Sequence, residues 1–293
     1  LKKAYIFPGQ GSQFEGMGKA MYEGSDLAKK LFKKADDISG FEISKTMFEG
    51  SAEELKATNV TQPAIYIYSV IATKLLGNDF MPDMVAGHSL GEISALTAAN
   101  AITFEDGLQL VTARANAMQK ACEEKPSTMA AVLALENEVV EKICADTEGV
   151  VVAANYNCPG QIVISGEMTA VEIACVKLKE AGARRALILS VGGAFHSPLM
   201  ASAQNSLAKA IEHTNFNEPN CSVYQNYTAM PVNNATNLKE NLNKQLTAPV
   251  LWMQSVSNMI TDGASHFYEI GPGKVLTGLM RKIDRTVDAS KID

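Results

Sequence analysis

Apolar positions along this chain follow two alternating rhythms. Short continuous runs, at 4–7 and 83–86, have the length and composition of buried strands. Between them, apolar residues recur every three or four positions over about 16–23, 26–37, 64–76 and 104–122, the spacing of helices with one buried face. An alanine-rich helix is predicted over 92–99. Local signals punctuate the pattern. Ser51 and Glu54 have capping-box spacing, Thr103 stands as an N-cap, and Pro63 suits the first turn of the helix over 64–76. Strands alternating with helices in this way predict a largely parallel α/β sheet.

The middle of the chain changes character. Strands are predicted at 128–135, 150–155, 161–165 and 185–191, with helices at 136–147 and 169–181. The resulting βαββαβ order is the ferredoxin-like pattern. An inserted subdomain is therefore expected over 126–192, set into an α/β core formed by 1–125 and 193–293. Glu124-Lys125-Pro126 and Gly192-Gly193 mark its two junctions. The core closes with a strand at 266–270, a Gly271-Pro272-Gly273 turn and a helix from Lys274.

Composition excludes several classes of function. With 293 residues, 46% of them hydrophobic, the chain can bury a sizeable core. A formal charge of −6 argues against non-specific nucleic-acid binding. Its five cysteines include no close C-x-x-C pair, which indicates reduced thiols and neither a disulfide framework nor a zinc site. No apolar run is long enough to span a membrane, and the chain opens on a strand without a charged-then-apolar leader. A cytoplasmic monomer is the expectation. Asn59, Asn226 and Asn234 begin N-x-S/T sequons, which carry no meaning without secretion.

The most informative stretch is Gly87-His88-Ser89-Leu90-Gly91, a G-x-S-x-G motif between the strand at 83–86 and the helix at 92–99. Its glycines permit a sharp, strained turn that lifts the serine oxygen clear of the sheet. At the N-terminus of the next helix, free N–H groups and the helix dipole favour the negative charge of acyl transfer. The fold expected is thus an α/β-hydrolase-like core with a largely parallel sheet, carrying the ferredoxin-like subdomain.

A serine alcohol needs a base, usually histidine. Of the four histidines, His88 shares the elbow and reads as structural, His213 as solvated, and His266 as part of a strand. His196 stands in the small-residue loop 192–198 between a strand and a helix, and is the favoured base. The acids between Ser89 and His196 all fall in the subdomain or on helices, so something other than a carboxylate is expected to orient the imidazole. Arg114 lies beside the apolar stripe Leu108, Val111, Ala115 and Met118, and so faces inward. Two readings stay open for it: an internal salt bridge, or a bidentate grip on a substrate carboxylate. The stretch from Phe7 to Gln13 fails the Walker A pattern at Met17 and the G-x-G-x-x-G pattern at Phe14. It is either a tight strand-to-helix turn or a source of oxyanion-binding amides.

Together, GQGSQ at 9–13, GHSLGE at 87–92, Arg114, GAFH at 193–196 and GPGKVL at 271–276 resemble the malonyl-CoA:acyl carrier protein transacylases of type II fatty-acid synthesis. The resemblance runs nearly end to end. It implies that Ser89 is acylated, that His196 is the base and that Arg114 binds the malonyl carboxylate. It implies oxyanion donation by the backbone amides of Gln10 and Leu90, and a backbone carbonyl at Gln245 that orients His196 in place of the missing acid. Phe195 resembles the bulky residue of malonyl-selective members, and Asn157 matches a position near the pocket mouth.

The implied activity is ping-pong transfer of malonyl from malonyl-CoA through Ser89 to the phosphopantetheine thiol of an acyl carrier protein, with no bound cofactor and no metal. Such carriers are acidic, as is this chain, so docking calls for a local basic patch. Arg184, Arg185, Lys274, Arg281 and Lys282 are its candidates. The rival readings are a thioesterase using the same Ser89 and His196, a non-catalytic acyl-CoA or carrier-protein binding module, and a loading enzyme for polyketide assembly.

Overall fold

Two sheets organise the chain, whose computed structural model describes residues 2–292. The first part runs β1 (Lys2–Phe7), α1 (Lys19–Gly24), α2 (Asp26–Ser39), α3 (Ile43–Glu49), α4 (Ala52–Lys56), α5 (Thr58–Leu76), β2 (Met84–Gly87), α6 (Gly91–Ala98) and α7 (Phe104–Glu124). Next come β3 (Ser127–Leu133), α8 (Asn137–Ala145), β4 (Val151–Cys158), β5 (Gln161–Glu167), α9 (Met168–Glu180) and β6 (Arg185–Ile188). The last part holds α10 (Ala201–His213), β7 (Ser222–Tyr224), β8 (Pro231–Val232), α11 (Ala235–Gln245), α12 (Trp252–Thr261), β9 (Ala264–Ile270), α13 (Val275–Ile283) and β10 (Asp288–Ile292).

The larger sheet has the order β10-β9-β1-β2-β7-β8 and is parallel except for β8. Its central strands are apolar over Ala4–Phe7 and Met84–Gly87 because both faces are covered there. Tyr5, Phe7 and Val85 pack into the cluster formed with α5, α6 and α7. Ala4, Ile6, Met84 and Ala86 face the other way, onto Trp252 and Val256 of α12 and Leu276 and Met280 of α13. The smaller sheet is antiparallel, in the order β4-β5-β3-β6, as a ferredoxin-like unit requires. One of its faces packs on α8 and α9; the other sends Met129 and Val163 into the main core. The two parts are tied at Val250, whose N–H donates to the Ala154 carbonyl and whose carbonyl accepts from the Tyr156 N–H.

The capping box forms on α4 and Thr103 caps α7, as expected. Among the elements that differ from the sequence reading are α5, β6 and β10. Helix α5 begins at Thr58, so Pro63 lies inside it and not in its first turn. Residues 58–62 are polar except for Val60 and carry no apolar periodicity, yet Thr58, Thr61 and Gln62 are buried; Pro63 forgoes only the bond to the Asn59 carbonyl. Strand β6 stops at Ile188 because the Val191 N–H folds back onto the Leu189 carbonyl, which turns the chain out of the sheet. Strand β10, absent from the sequence reading, adds a parallel edge beside β9.

All five cysteines are free thiols. Among the described residues, no helix is long and apolar enough to cross a membrane, and no group of three or more His, Cys, Asp or Glu side chains could hold a metal ion.

Candidate active site

Strand β2 delivers the chain into a bend at Ser89, whose φ of 54° lies in the left-handed region that side-chain residues avoid. Two glycines make the bend possible. A Cβ on Gly87 would sit 1.9 Å from the Gly91 backbone, and one on Gly91 would sit 2.1 Å from the Phe7 carbonyl oxygen. The elbow is therefore pressed against the end of β1, which brings the Gln10 turn alongside Leu90. Gln10, Ser89, Leu90, Arg114, Phe195 and His196 line one cavity of about 120 Å³.

Ser89 Oγ lies 2.8 Å from Nε2 of His196, and Nδ1 of that imidazole lies 3.0 Å from the Gln245 carbonyl oxygen. A carbonyl can only accept, so Nδ1 carries the proton and Nε2 is left to accept the serine O–H. No acid is needed to fix this tautomer. Burial, reinforced by the Arg114 charge, pushes His196 down to about 3, so the imidazole is neutral at pH 7.

Arg114 reaches the cavity from α7 and is 1% exposed. Its Nη1 donates to Gln62 Oε1 at 2.7 Å; its Nη2 donates to Ser89 Oγ at 2.9 Å and Gln245 Oε1 at 3.2 Å. Among the described residues no carboxylate lies within ion-pair distance, so the internal salt bridge is not formed. Its Nε has no partner. Burial lowers Arg114 to about 10, which leaves it charged at neutral pH. A buried cation held only by neutral oxygens suits an incoming carboxylate.

The backbone N–H groups of Gln10 and Leu90 donate to no protein group among the described residues, and both residues line the cavity. Leu90 is the residue that precedes α6, where free helix-end donors accumulate. His88 turns away from Ser89. Its Nε2 lies 2.8 Å from Asn157 Oδ1 and its ring 5.6 Å from that of Trp252, and burial lowers its pKa. Asn157 belongs to a second cavity of about 260 Å³, which shares Gln10, His88, Asn155, Val163 and Leu189 with the first. His213 is exposed, and His266 stacks on Tyr268 in β9, so neither joins the site.

The five basic candidates are all exposed. Arg185 pairs with Leu133, Leu133 pairs with Gln161, and Lys282 Nζ lies 3.3 Å from Gln161 Oε1. Arg185 and Lys282 thus flank one end of the smaller sheet, where Gln161 lines the second cavity. Arg184 adjoins this end, and Lys274 immediately precedes α13, which carries Arg281 and Lys282 in its last turn.

Four further side chains belong to the site: Gln62, Glu92, Asn226 and that of Gln245. Glu92 has a readable signal, because every residue of α6 is buried and a carboxylate there must find donors. Its oxygens accept from the Asn226 N–H at 2.6 Å and Gln225 Nε2 at 3.1 Å, and burial pushes it up to about 7. Gln62 and Asn226 carry no local signal; tertiary packing alone brings them in.

The acyl transferase domain family matches residues 4–292. A malonyl CoA-acyl carrier protein transacylase of Bacillus subtilis (strain 168) is 42% identical over 288 residues, 97% of this chain and 91% of that protein. The crystal structure of an acyl carrier protein S-malonyltransferase from Vibrio cholerae superposes with a TM-score of 0.95 at 39% identity, covering 100% of this chain and 97% of that one. A malonyl-transacylase solved in complex with its type II PKS acyl-carrier protein gives 0.96 at 36% identity, covering 100% and 96%. The parallel core, the antiparallel second sheet and this similarity agree: the chain belongs to the acyl transferase family, among the malonyl-CoA–acyl carrier protein transacylases.

Proposed function

We propose that Ser89 takes a malonyl group from malonyl-CoA and passes it to the phosphopantetheine thiol of an acyl carrier protein. The observation that carries this reading is the Ser89 hydroxyl held between His196 Nε2, at 2.8 Å, and Arg114 Nη2, at 2.9 Å. His196 takes the serine proton as Ser89 attacks the thioester carbonyl. The Gln10 and Leu90 amides receive the oxyanion, each contributing about 3 kcal/mol to the barrier reduction. CoA leaves as the thiol with the proton from His196. In the second half the carrier thiol gives its proton to His196 and attacks the malonyl ester, and Ser89 regains its hydrogen.

Arg114 supplies selectivity by gripping the malonyl carboxylate, while an acetyl group would leave it buried and unpaired. The same carboxylate offsets a charge that helps hold His196 low, so the base strengthens once the correct substrate is bound. Phe195 limits room beside the acyl group, and Asn157 with the second cavity receives the pantetheine arm. Residues 126–192 act as one unit that walls this channel, and the basic residues at its rim meet the acidic carrier. Fatty-acid synthesis in the cytoplasm, by a monomer, is the setting this reading adopts.

Intact mass after brief exposure to malonyl-CoA, and again after adding holo carrier protein, tests the proposal. One malonyl adduct, absent in Ser89→Ala and transferred to the carrier, is expected. An adduct that drains to free malonate while the carrier stays bare would make the protein a thioesterase. No adduct and no CoA release would refute the reading.

A further inference from the structure

Beneath Ser89 lies a polar network that the transfer chemistry itself does not touch. Its hub is Asn226, fully buried just after β7. Asn226 Oδ1 accepts the Ser89 N–H at 2.7 Å while Nδ2 donates to the Gly87 carbonyl at 2.7 Å. The same Oδ1 accepts from Gln245 Nε2 at 3.3 Å. That nitrogen also donates to the Ser89 carbonyl at 3.0 Å, and the Gln245 backbone carbonyl accepts from His196 Nδ1. Asn226 is fixed in turn by the Glu92 carboxylate, which accepts its backbone N–H, and by the Leu251 N–H, which donates to its carbonyl.

The elbow needs such support. A left-handed serine persists only where its surroundings over-determine it. A primary amide presents an acceptor and a donor in one plane, so it can take the Ser89 N–H and satisfy the Gly87 carbonyl together. Alanine can do neither, and a carboxylate only the first.

We propose that Asn226 is the positioning residue of the elbow: it holds Ser89 in its left-handed conformation and, through Gln245, keeps nucleophile and base in register. The catalytic part of this inference rests on Ser89 being the acyl acceptor. Asn226 lines neither cavity, so its loss falls on the position of the nucleophile and not on a direct contact with malonyl-CoA.

The test compares wild type with Asn226→Ala and Asn226→Asp. In Asn226→Ala, single-turnover acylation and kcat fall about 100-fold, the size expected of a nucleophile displaced by about 1 Å, while KM for malonyl-CoA is unchanged. In Asn226→Asp the neutral carboxyl restores both bonds, one oxygen accepting and the other donating, whereas the carboxylate faces the Gly87 carbonyl. The titratable groups of the network are Glu92 on α6, Arg114 on α7, His88 on the elbow and His196 in its loop. Burial at this fully enclosed position favours the neutral form of the new carboxyl. The activity of Asn226→Asp relative to wild type therefore climbs as pH falls from about 8 to about 5.5. This acid rescue carries the test if Asn226→Ala does not fold.

Hydrogen exchange at the Ser89 amide gives a readout independent of activity: slow in wild type, fast in Asn226→Ala. Unchanged kcat in Asn226→Ala, an increase in KM alone, or an Asn226→Asp profile parallel to wild type would overturn the proposal. Equal Ser89 exchange would overturn it even in a protein that never takes up malonyl, an outcome that refutes the functional reading separately.

Discussion

Replacing Arg114 by alanine tests how one side chain serves both selectivity and reactivity. The guanidinium now satisfies Gln62 Oε1, Ser89 Oγ and Gln245 Oε1, all neutral oxygens. A malonyl carboxylate adds a charged acceptor, which turns such contacts into an ion pair worth about 1.5–3 kcal/mol of net stabilisation. Losing that contribution slows malonyl transfer by about 10- to 150-fold. Acetyl transfer never had it, so the malonyl-over-acetyl preference shrinks by about tenfold or more.

A second consequence falls on His196. The Arg114 charge is the largest cause after burial of the low pKa near 3, so its removal moves the imidazole back toward its ordinary value. The acid limb of acetyl transfer then shifts to higher pH in Arg114→Ala. The assay is kcat/KM for both thioesters across acid to neutral pH. An unchanged preference would remove Arg114 from substrate recognition. Equal losses for both substrates would reduce it to a support for Ser89 and Gln245.

Three other outcomes are expected. Glu92 sits at about 7 in the fold against 4.5 ordinarily, so the stability it contributes is full below about 4.5 and is lost as pH rises through 7. His196, lowered from 6.5 to about 3, acts oppositely: its contribution is present above 6.5 and lost as pH falls through 3. Glu92→Gln removes the first effect, so its thermal stability should climb more steeply from pH 4.5 to 7 than that of wild type; parallel curves would refute the buried carboxylate. Phe195→Ala opens the cavity beside Ser89 and should raise methylmalonyl over malonyl turnover by about tenfold, read as a ratio of kcat/KM; no change would free Phe195 of that role. Arg281→Glu with Lys282→Glu should raise KM for the carrier about tenfold at low salt, less at high salt, with malonylation of Ser89 untouched; identical carrier kinetics would discard the patch.

Ser89, His196 and Arg114 are legible in the sequence because each breaks a local rule. One is a serine between glycines where strand meets helix, one a histidine in a small-residue loop, and one an arginine on an apolar stripe. Their meeting is not legible: Ser89 and His196 are separated by 107 positions, and only the assembled sheet brings them to 2.8 Å. Asn226 shows the limit most plainly, since its one local signal is a glycosylation sequon, while its side chain is sealed beneath the elbow. Gln62 was hidden for the same reason that the start of α5 was misplaced. Periodicity reports a helix by its apolar face, and the first turns of α5 present Thr58, Thr61 and Gln62 inward instead. Gln62 is buried because it holds Arg114, and Thr61 because its hydroxyl bonds the Leu55 carbonyl. The missing apolar pattern and the missed site residue therefore have one cause. A polar stretch ahead of an apolar helix marks a buried polar site here, where sequence rules read it as the end of the helix.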